Sequence, residues 1–159
     1  MRSRKPRRRV GVREGLHAAF SFAFLLAAGS AAAGPALKVH DAWIEEGPPG
    51  VSVLGGYLDL ENPGDAAIEV TGVSSDAAAQ IEIHRTEIHD GTASMAEVPV
   101  LTVPPHARLS FGHGGYHLML MSLHGPLKAG DRIGLRLHLG GGGTENVEAE
   151  VRRAVADPM

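Results

Sequence analysis

The sequence predicts an all-β domain, a single β-sandwich that follows an N-terminal leader. Short runs of apolar or alternating residues recur along positions 39–153, and glycine- or proline-containing breakers separate them at intervals of about one strand length. No stretch in that range shows the 3.6-residue period of an amphipathic helix. Many short strands divided by such turns are typical of β-sandwiches and barrels.

The first 33 residues have the three parts of a secretory signal peptide. Seven basic residues lie between Arg2 and Arg13, an apolar run follows at 16–28, and small residues end at Ala33. A membrane anchor is the alternative, but the apolar run is short for a span that needs about 20 apolar residues. We therefore predict export, cleavage after Ala33 and a mature domain of residues 34–159.

Each predicted strand is bounded by turn chemistry. Asn-Pro-Gly-Asp at 62–65 and the Asp90-Gly91 pair are strong turn signals, and the glycine run at 140–143 is interpreted as a flexible hairpin tip. The alanines at 77–79 are assigned one helical turn at most. The predicted strands cover 39–45, 51–60, 67–73, 80–88, 95–103, 108–111, 116–123, 132–139 and 147–153.

Charge limits the partners that the mature domain can bind. The chain has 15 basic and 18 acidic residues, and the leader holds seven of the basic residues and one acidic residue. Residues 34–159 therefore hold 8 basic and 17 acidic residues, a net charge of −9 with histidine neutral. An acidic domain has no electrostatic basis for binding nucleic acid or an anionic membrane, so neither is an expected partner.

Four residues in the spacing His-x10-Met-x21-His-x-Met have the chemistry of a soft metal site: His84, Met95, His117 and Met119. Two imidazoles and two thioethers are neutral donors that suit reduced copper better than zinc, magnesium or calcium. Methionines in a strand also pack commonly in a core, so spacing alone leaves both interpretations open.

Strand alternation separates three of these donors from the aliphatic residues around them. Ile83 alternates with His84, and Leu118 lies between His117 and Met119. Successive side chains of a strand point to opposite faces, so these donors lie on the face away from the predicted core. Met95 is not placed in this way, although a hairpin at 90–91 would return it past the strand of His84.

Other residues near the motif have weaker interpretations. Met121 shares the face of Met119 and is a possible secondary ligand, or it packs beside the site. His113, in a glycine-rich loop, is expected to be a solvent-exposed histidine, and Trp43 either packs in the sandwich or lines the copper face. Glu82, with the other glutamates nearby, is assigned to a solvated acidic surface.

The four-residue spacing resembles the signature of the PCuAC family of periplasmic copper chaperones. Further segments that resemble this family lie at 39–43, 83–86, 114–123 and 126–131, so the similarity spans essentially the whole mature chain. The resemblance implies a cupredoxin-like Greek-key β-sandwich that binds one Cu(I) through His84, Met95, His117 and Met119. Some relatives carry a tail that holds Cu(II), but residues 151–159 have no such cluster of His and Met.

The resemblance also implies a function and a partner. Proteins of this family pass copper to cytochrome oxidase, chiefly its CuA centre, so the expected partner is an oxidase subunit or a copper-assembly factor. A monomeric, non-catalytic periplasmic carrier follows. Blue-copper electron transfer needs a cysteine thiolate, and the chain has no cysteine. A copper-tolerance buffer and an exported protein-binding sandwich with incidental His and Met remain as alternatives.

Overall fold

The computed structural model describes residues 37–153, which form ten β-strands and one short 3₁₀ turn. The predicted signal peptide, residues 1–33, lies outside the described residues. Within 37–153, no helix has the length and apolar character needed to cross a membrane. The strands are β1 Lys38–Glu46, β2 Val53–Glu61, β3 Ile68–Ser75, β4 Ala78–His89, β5 Thr92–Glu97, β6 Leu101–Val103, β7 Arg108–Ser110, β8 Tyr116–Leu123, β9 Arg132–Leu139 and β10 Thr144–Arg153.

Two of the predicted elements were wrong. The single strand predicted at 95–103 is divided into β5 and β6, and Pro99 lies in the gap, where its missing N–H cannot support a sheet ladder. The helical turn assigned to the alanines at 77–79 does not form, because Ala78 begins β4 and pairs with Ser75 across the β3–β4 turn. Strand pairing has overridden the helix propensity of alanine there.

The strands form one sheet that closes on itself. Their order is β5-β4-β8-β2-β1-β10-β9-β3-β6, and an additional pairing between β4 and β3 completes a barrel-like ring of seven strands. Most neighbours are antiparallel, and β1 pairs with β10 in parallel. The predicted all-β, cupredoxin-like class is confirmed.

The strand pair β4–β8 has one face in the hydrophobic core, and its opposite face carries His84, His117 and Met119. Opposite residues in an antiparallel pair lie on the same face, and Ile83 lies opposite Leu118 with both side chains buried. The alternating positions, including His84 and His117, therefore point away from this aliphatic layer. The face assignment made from alternation is confirmed for both strands.

A two-residue turn joins β4 to β5. Asp90 and Gly91 have φ values of 51° and 78°, as a hairpin turn of the primed type requires, and His89 pairs with Thr92 directly across it. The hairpin that Asp90-Gly91 indicated is thus confirmed. Because the loop length sets the register, the turn also places Met95 opposite Thr86.

Candidate metal centre

His84 and His117 lie directly opposite each other on β4 and β8. Their ring centroids are 5.9 Å apart. A metal about 2.0 Å from a ring nitrogen lies about 3 Å from the centroid of that ring, so two rings that share one ion have centroids about 5 to 6.5 Å apart. The pair therefore already has the spacing of two ligands to a common ion.

The hydrogen bond of His117 leaves one nitrogen free. Its side chain is buried, and Nδ1 lies 3.1 Å from the carbonyl oxygen of Gly115. A carbonyl oxygen can only accept, so Nδ1 is the donor and Nε2 of the neutral ring carries the lone pair. Among residues 37–153, nothing forms a hydrogen bond with that Nε2.

His84 has the opposite arrangement. Its Nε2 lies 2.7 Å from Oε2 of Glu82, a carboxylate that accepts, so Nε2 donates and Nδ1 of the neutral ring carries the lone pair. That Nδ1 is buried and has no hydrogen-bond partner among the described residues. A buried polar atom without a partner is energetically unfavourable, and a metal ion bound at that atom would relieve it.

Met119 is the thioether nearest to His117 in the register of the sheet. It lies two residues beyond His117 on the same face, about 7 Å away along the strand, and it lies opposite Glu82 on β4. Its neighbour on β2 is Gly55, which places no side chain beside it. Met121 continues the same face one step further and is partly buried.

Met95 is the most exposed of the four predicted donors. It lies on β5 at the edge of the sheet, and 64% of its surface is accessible. It pairs with Thr86, two residues from His84 on the same face, so it occupies a position diagonal to His84, about 7–8 Å away. The fold therefore brings all four predicted donors to one face, with three on inner strands and Met95 on the rim.

The grouping of Trp43, Tyr57 and His113 into one aromatic cluster beside this face was not predicted from the sequence. The Tyr57 hydroxyl lies 2.9 Å from Nε2 of His113 and 3.5 Å from Oε2 of Glu45, and the Trp43 ring stacks 4.5 Å from the Tyr57 ring. The cluster adjoins the donor face, the face of the sheet that carries the four predicted donors. The contact is at Gly55, which lies opposite Met119, because a Cβ built on Gly55 would lie 3.0 Å from the Tyr57 hydroxyl. His113 is exposed, as predicted. The alternation of Gly55 with Tyr57 in β2 was the sequence pattern that could have indicated the cluster.

Burial changes the acidity of Tyr57. Desolvation, followed by the charge of Glu45 and a hydrogen bond to it, raises the pKa of Tyr57 from 10.0 to about 12. Between these values the unfolded chain loses the phenolic proton while the folded chain keeps it. The free energy of unfolding should therefore fall as the pH rises from 10 to 12 and be unaffected by this group at lower pH.

We expect this loss to be about 2 kcal/mol in the wild type. The measurement is urea unfolding of the metal-free protein at a series of pH values, with Tyr57→Phe as the comparison, since phenylalanine has no proton to lose. The variant should lose less stability than the wild type across that range. Parallel losses in the two proteins would contradict the assignment.

The fold and the donor face define a class of protein, the cupredoxin-like domains of PCuAC type. The Cu(I) form of DR1885 from Deinococcus radiodurans is 31% identical, with a TM-score of 0.64 over 79% of this chain and 85% of that one. The copper-bound PCuAC domain from PmoF2 has the same TM-score over 76% and 96% of the two chains, at 19% identity.

The chain belongs to the LpqE-like family, described as "Putative lipoprotein LpqE-like", whose model matches residues 37–151. It is also similar to "Putative lipoprotein Lxx21020" of Leifsonia xyli subsp. xyli, with 32% identity over 117 residues, which are 73% of this chain and 69% of that protein. The family resemblance found in the sequence is confirmed. The assignment of the four ligands stays a prediction.

Proposed function

We propose that this protein is an exported copper carrier that binds one Cu(I) ion through His84, Met95, His117 and Met119. One observation carries the proposal: Nδ1 of His84 and Nε2 of His117 are both left with free lone pairs on rings 5.9 Å apart. The solved Cu(I) form of DR1885, a relative of the same fold, supports copper as the cargo.

The donor set suits a carrier rather than a permanent copper centre. Neutral imidazole and thioether donors favour Cu(I), and thioethers hold it without the charge of a thiolate. The edge position of Met95 leaves that side of the site open to solvent and to an acceptor. A site of this kind would hold the ion moderately and release it to a protein with cysteine ligands.

The proposed acceptor is a subunit of cytochrome oxidase with a CuA-type centre, or a copper-assembly factor that serves it. The resemblance to PCuAC chaperones supports this choice, and the acidic mature domain would favour a basic docking surface. The proposed location is the periplasm. Its support is the predicted signal peptide, together with the description of the family and of the Leifsonia xyli relative as lipoproteins, which are exported proteins.

The double variant Met95→Ala/Met119→Ala tests the proposed site. We expect it to lower the Cu(I) affinity by about 100-fold, which corresponds to about 1.4 kcal/mol for each thioether removed. Anaerobic competition with a chromophoric Cu(I) chelator measures this directly. Met121→Ala removes a further thioether from the same face: an unchanged affinity would mean that Met121 packs beside the site, and a loss would make it a secondary ligand. Equal affinity in the double variant and the wild type would overturn the ligand assignment.

The same titration tests one alternative, and a transfer experiment tests the other. A protein-binding sandwich with incidental His and Met would show no tight Cu(I) binding in the wild type. A copper-tolerance buffer would bind Cu(I) but would not pass it on. Mixing the Cu(I)-loaded protein with a metal-free CuA-type domain, and following the copper by gel filtration and absorbance, distinguishes a carrier from a buffer.

A further inference from the structure

We infer that Glu82 is a positioning residue of the copper site, which holds His84 in the tautomer that offers Nδ1 to Cu(I). The inference rests on the proposed function and adds a residue that the four-donor spacing does not contain. The sequence assigned Glu82 to a solvated surface, and the structure corrects this. Only 21% of its side chain is exposed, and its carboxylate is bonded to the imidazole.

Glu82 is itself held in place along β4. Its Oε1 accepts a hydrogen bond from Nε2 of Gln80 at 2.5 Å, and its Oε2 accepts from Nε2 of His84 at 2.7 Å. The three residues alternate along one strand and therefore share one face. Because both carboxylate oxygens are engaged, the carboxylate has a defined orientation towards the ring.

This contact determines which nitrogen of His84 is available. A neutral imidazole carries one proton, and a carboxylate beside Nε2 favours the tautomer with the proton on that nitrogen. Nδ1, which is buried and without a partner in the described part of the chain, is then the nitrogen whose lone pair can bind Cu(I). Metal-binding histidines usually donate their second nitrogen to a carboxylate or a backbone carbonyl. Here Glu82 has that relation to His84, as Gly115 has to His117.

The sheet provides a matched control in Glu97. It lies directly opposite His84 on β5, so the Cβ atoms of the two residues are about 5 Å apart. It is exposed and forms no hydrogen bond with His84 among residues 37–153. If negative charge near the site were the important property, the two glutamates would have similar effects. If the hydrogen bond is important, only Glu82 matters.

The first test is anaerobic Cu(I) competition with Glu82→Ala, Glu97→Ala and Glu82→Gln, at one fixed pH. Loss of such a hydrogen-bond partner lowers metal affinity by about 10- to 100-fold, which is the expectation for Glu82→Ala. Glu97→Ala should stay within about threefold of the wild type. Glu82→Gln should recover most of the loss, because its amide oxygen can also accept from Nε2. Equal losses for the two alanine variants would overturn the inference.

The second test starts from the metal-free protein and has a readout other than affinity. Long-range ¹H–¹⁵N NMR of the metal-free protein reports which nitrogen of His84 carries the proton. We expect Nε2–H in the wild type and in Glu97→Ala, and a mixture of tautomers in Glu82→Ala. On adding Cu(I), the ¹⁵N resonance of Nδ1 should shift. Copper binding at Nε2 of His84, with Glu82 released, would overturn the inference.

The two proposals fail in different ways. If the wild type has no tight Cu(I) site, the proposed function fails. If the wild type binds Cu(I) and the methionine variants weaken it, while Glu82→Ala binds normally, only the role of Glu82 fails.

Discussion

Replacing His117 with asparagine should lower the Cu(I) affinity by at least about 100-fold while changing the free energy of unfolding by about 1 kcal/mol or less. The amide nitrogen of asparagine occupies nearly the position of Nδ1, so it can still donate to the carbonyl of Gly115. Nothing in asparagine reaches the position of Nε2. The substitution therefore removes the proposed ligand atom and keeps the structural hydrogen bond.

Chelator competition measures the affinity, and urea unfolding of the metal-free protein measures the stability. His124→Asn is the matched control, since His124 also has Nδ1 bonded to a carbonyl, that of Asp76 at 2.8 Å, but lies away from the four donors in the register of the sheet. It should leave Cu(I) binding unchanged. A large loss of stability in His117→Asn with normal copper affinity would show that the histidine is structural.

Leu118→Ala should have the opposite effects: a large loss of stability and little change in Cu(I) affinity. Leu118 lies between His117 and Met119 in β8, but its side chain points into the core and is 1% exposed. Truncating a buried leucine removes apolar contacts and leaves a cavity, which lowers the free energy of unfolding by about 3 kcal/mol or more. Because the proposed donor atoms lie on the other face, the Cu(I) affinity of the folded protein should stay within about threefold.

Urea unfolding of the metal-free protein, with Cu(I) competition in the absence of denaturant, tests this separation of the two faces. Ile88→Ala is the control for aliphatic truncation: it lies near the end of β4, is 70% exposed, and should cost about 0.5 kcal/mol or less. A loss of copper affinity in folded Leu118→Ala, comparable with that in His117→Asn, would mean that the two faces are coupled through the backbone of β8.

Local sequence patterns predicted most of the face assignment in β4 and β8. Alternation separated His84 from Ile83, and the Asp90-Gly91 pair indicated the hairpin that carries Met95. These features depend on residues close together in the chain, where strand period and turn chemistry act directly. The single strand predicted at 95–103 was wrong for a similarly local reason, because Pro99 has no N–H for the sheet ladder and interrupts the strand.

The remaining features depend on contacts between distant segments. Nothing within β4 or β8 specifies that His84 lies opposite His117, because that pairing results from closure of the whole sheet. The hydrogen bond from His84 to Glu82 depends on rotamers, and a glutamate two residues from a histidine is usually solvated. The contact between Tyr57 and His113 spans 56 positions in the chain, so no sequence window contains it.

The position of β5 at the edge of the sheet bears on the sequence of events in copper release under the proposed function. β5 pairs with β4 alone, whereas the strands of the other three predicted donors have neighbours on both sides. Edge segments open at lower free energy than central strands, so the Met95–copper bond should be the first to break. A cysteine of the proposed acceptor would then be able to take the vacated coordination position before either imidazole leaves. The lifetime of the loaded state would thus depend on the motion of one hairpin.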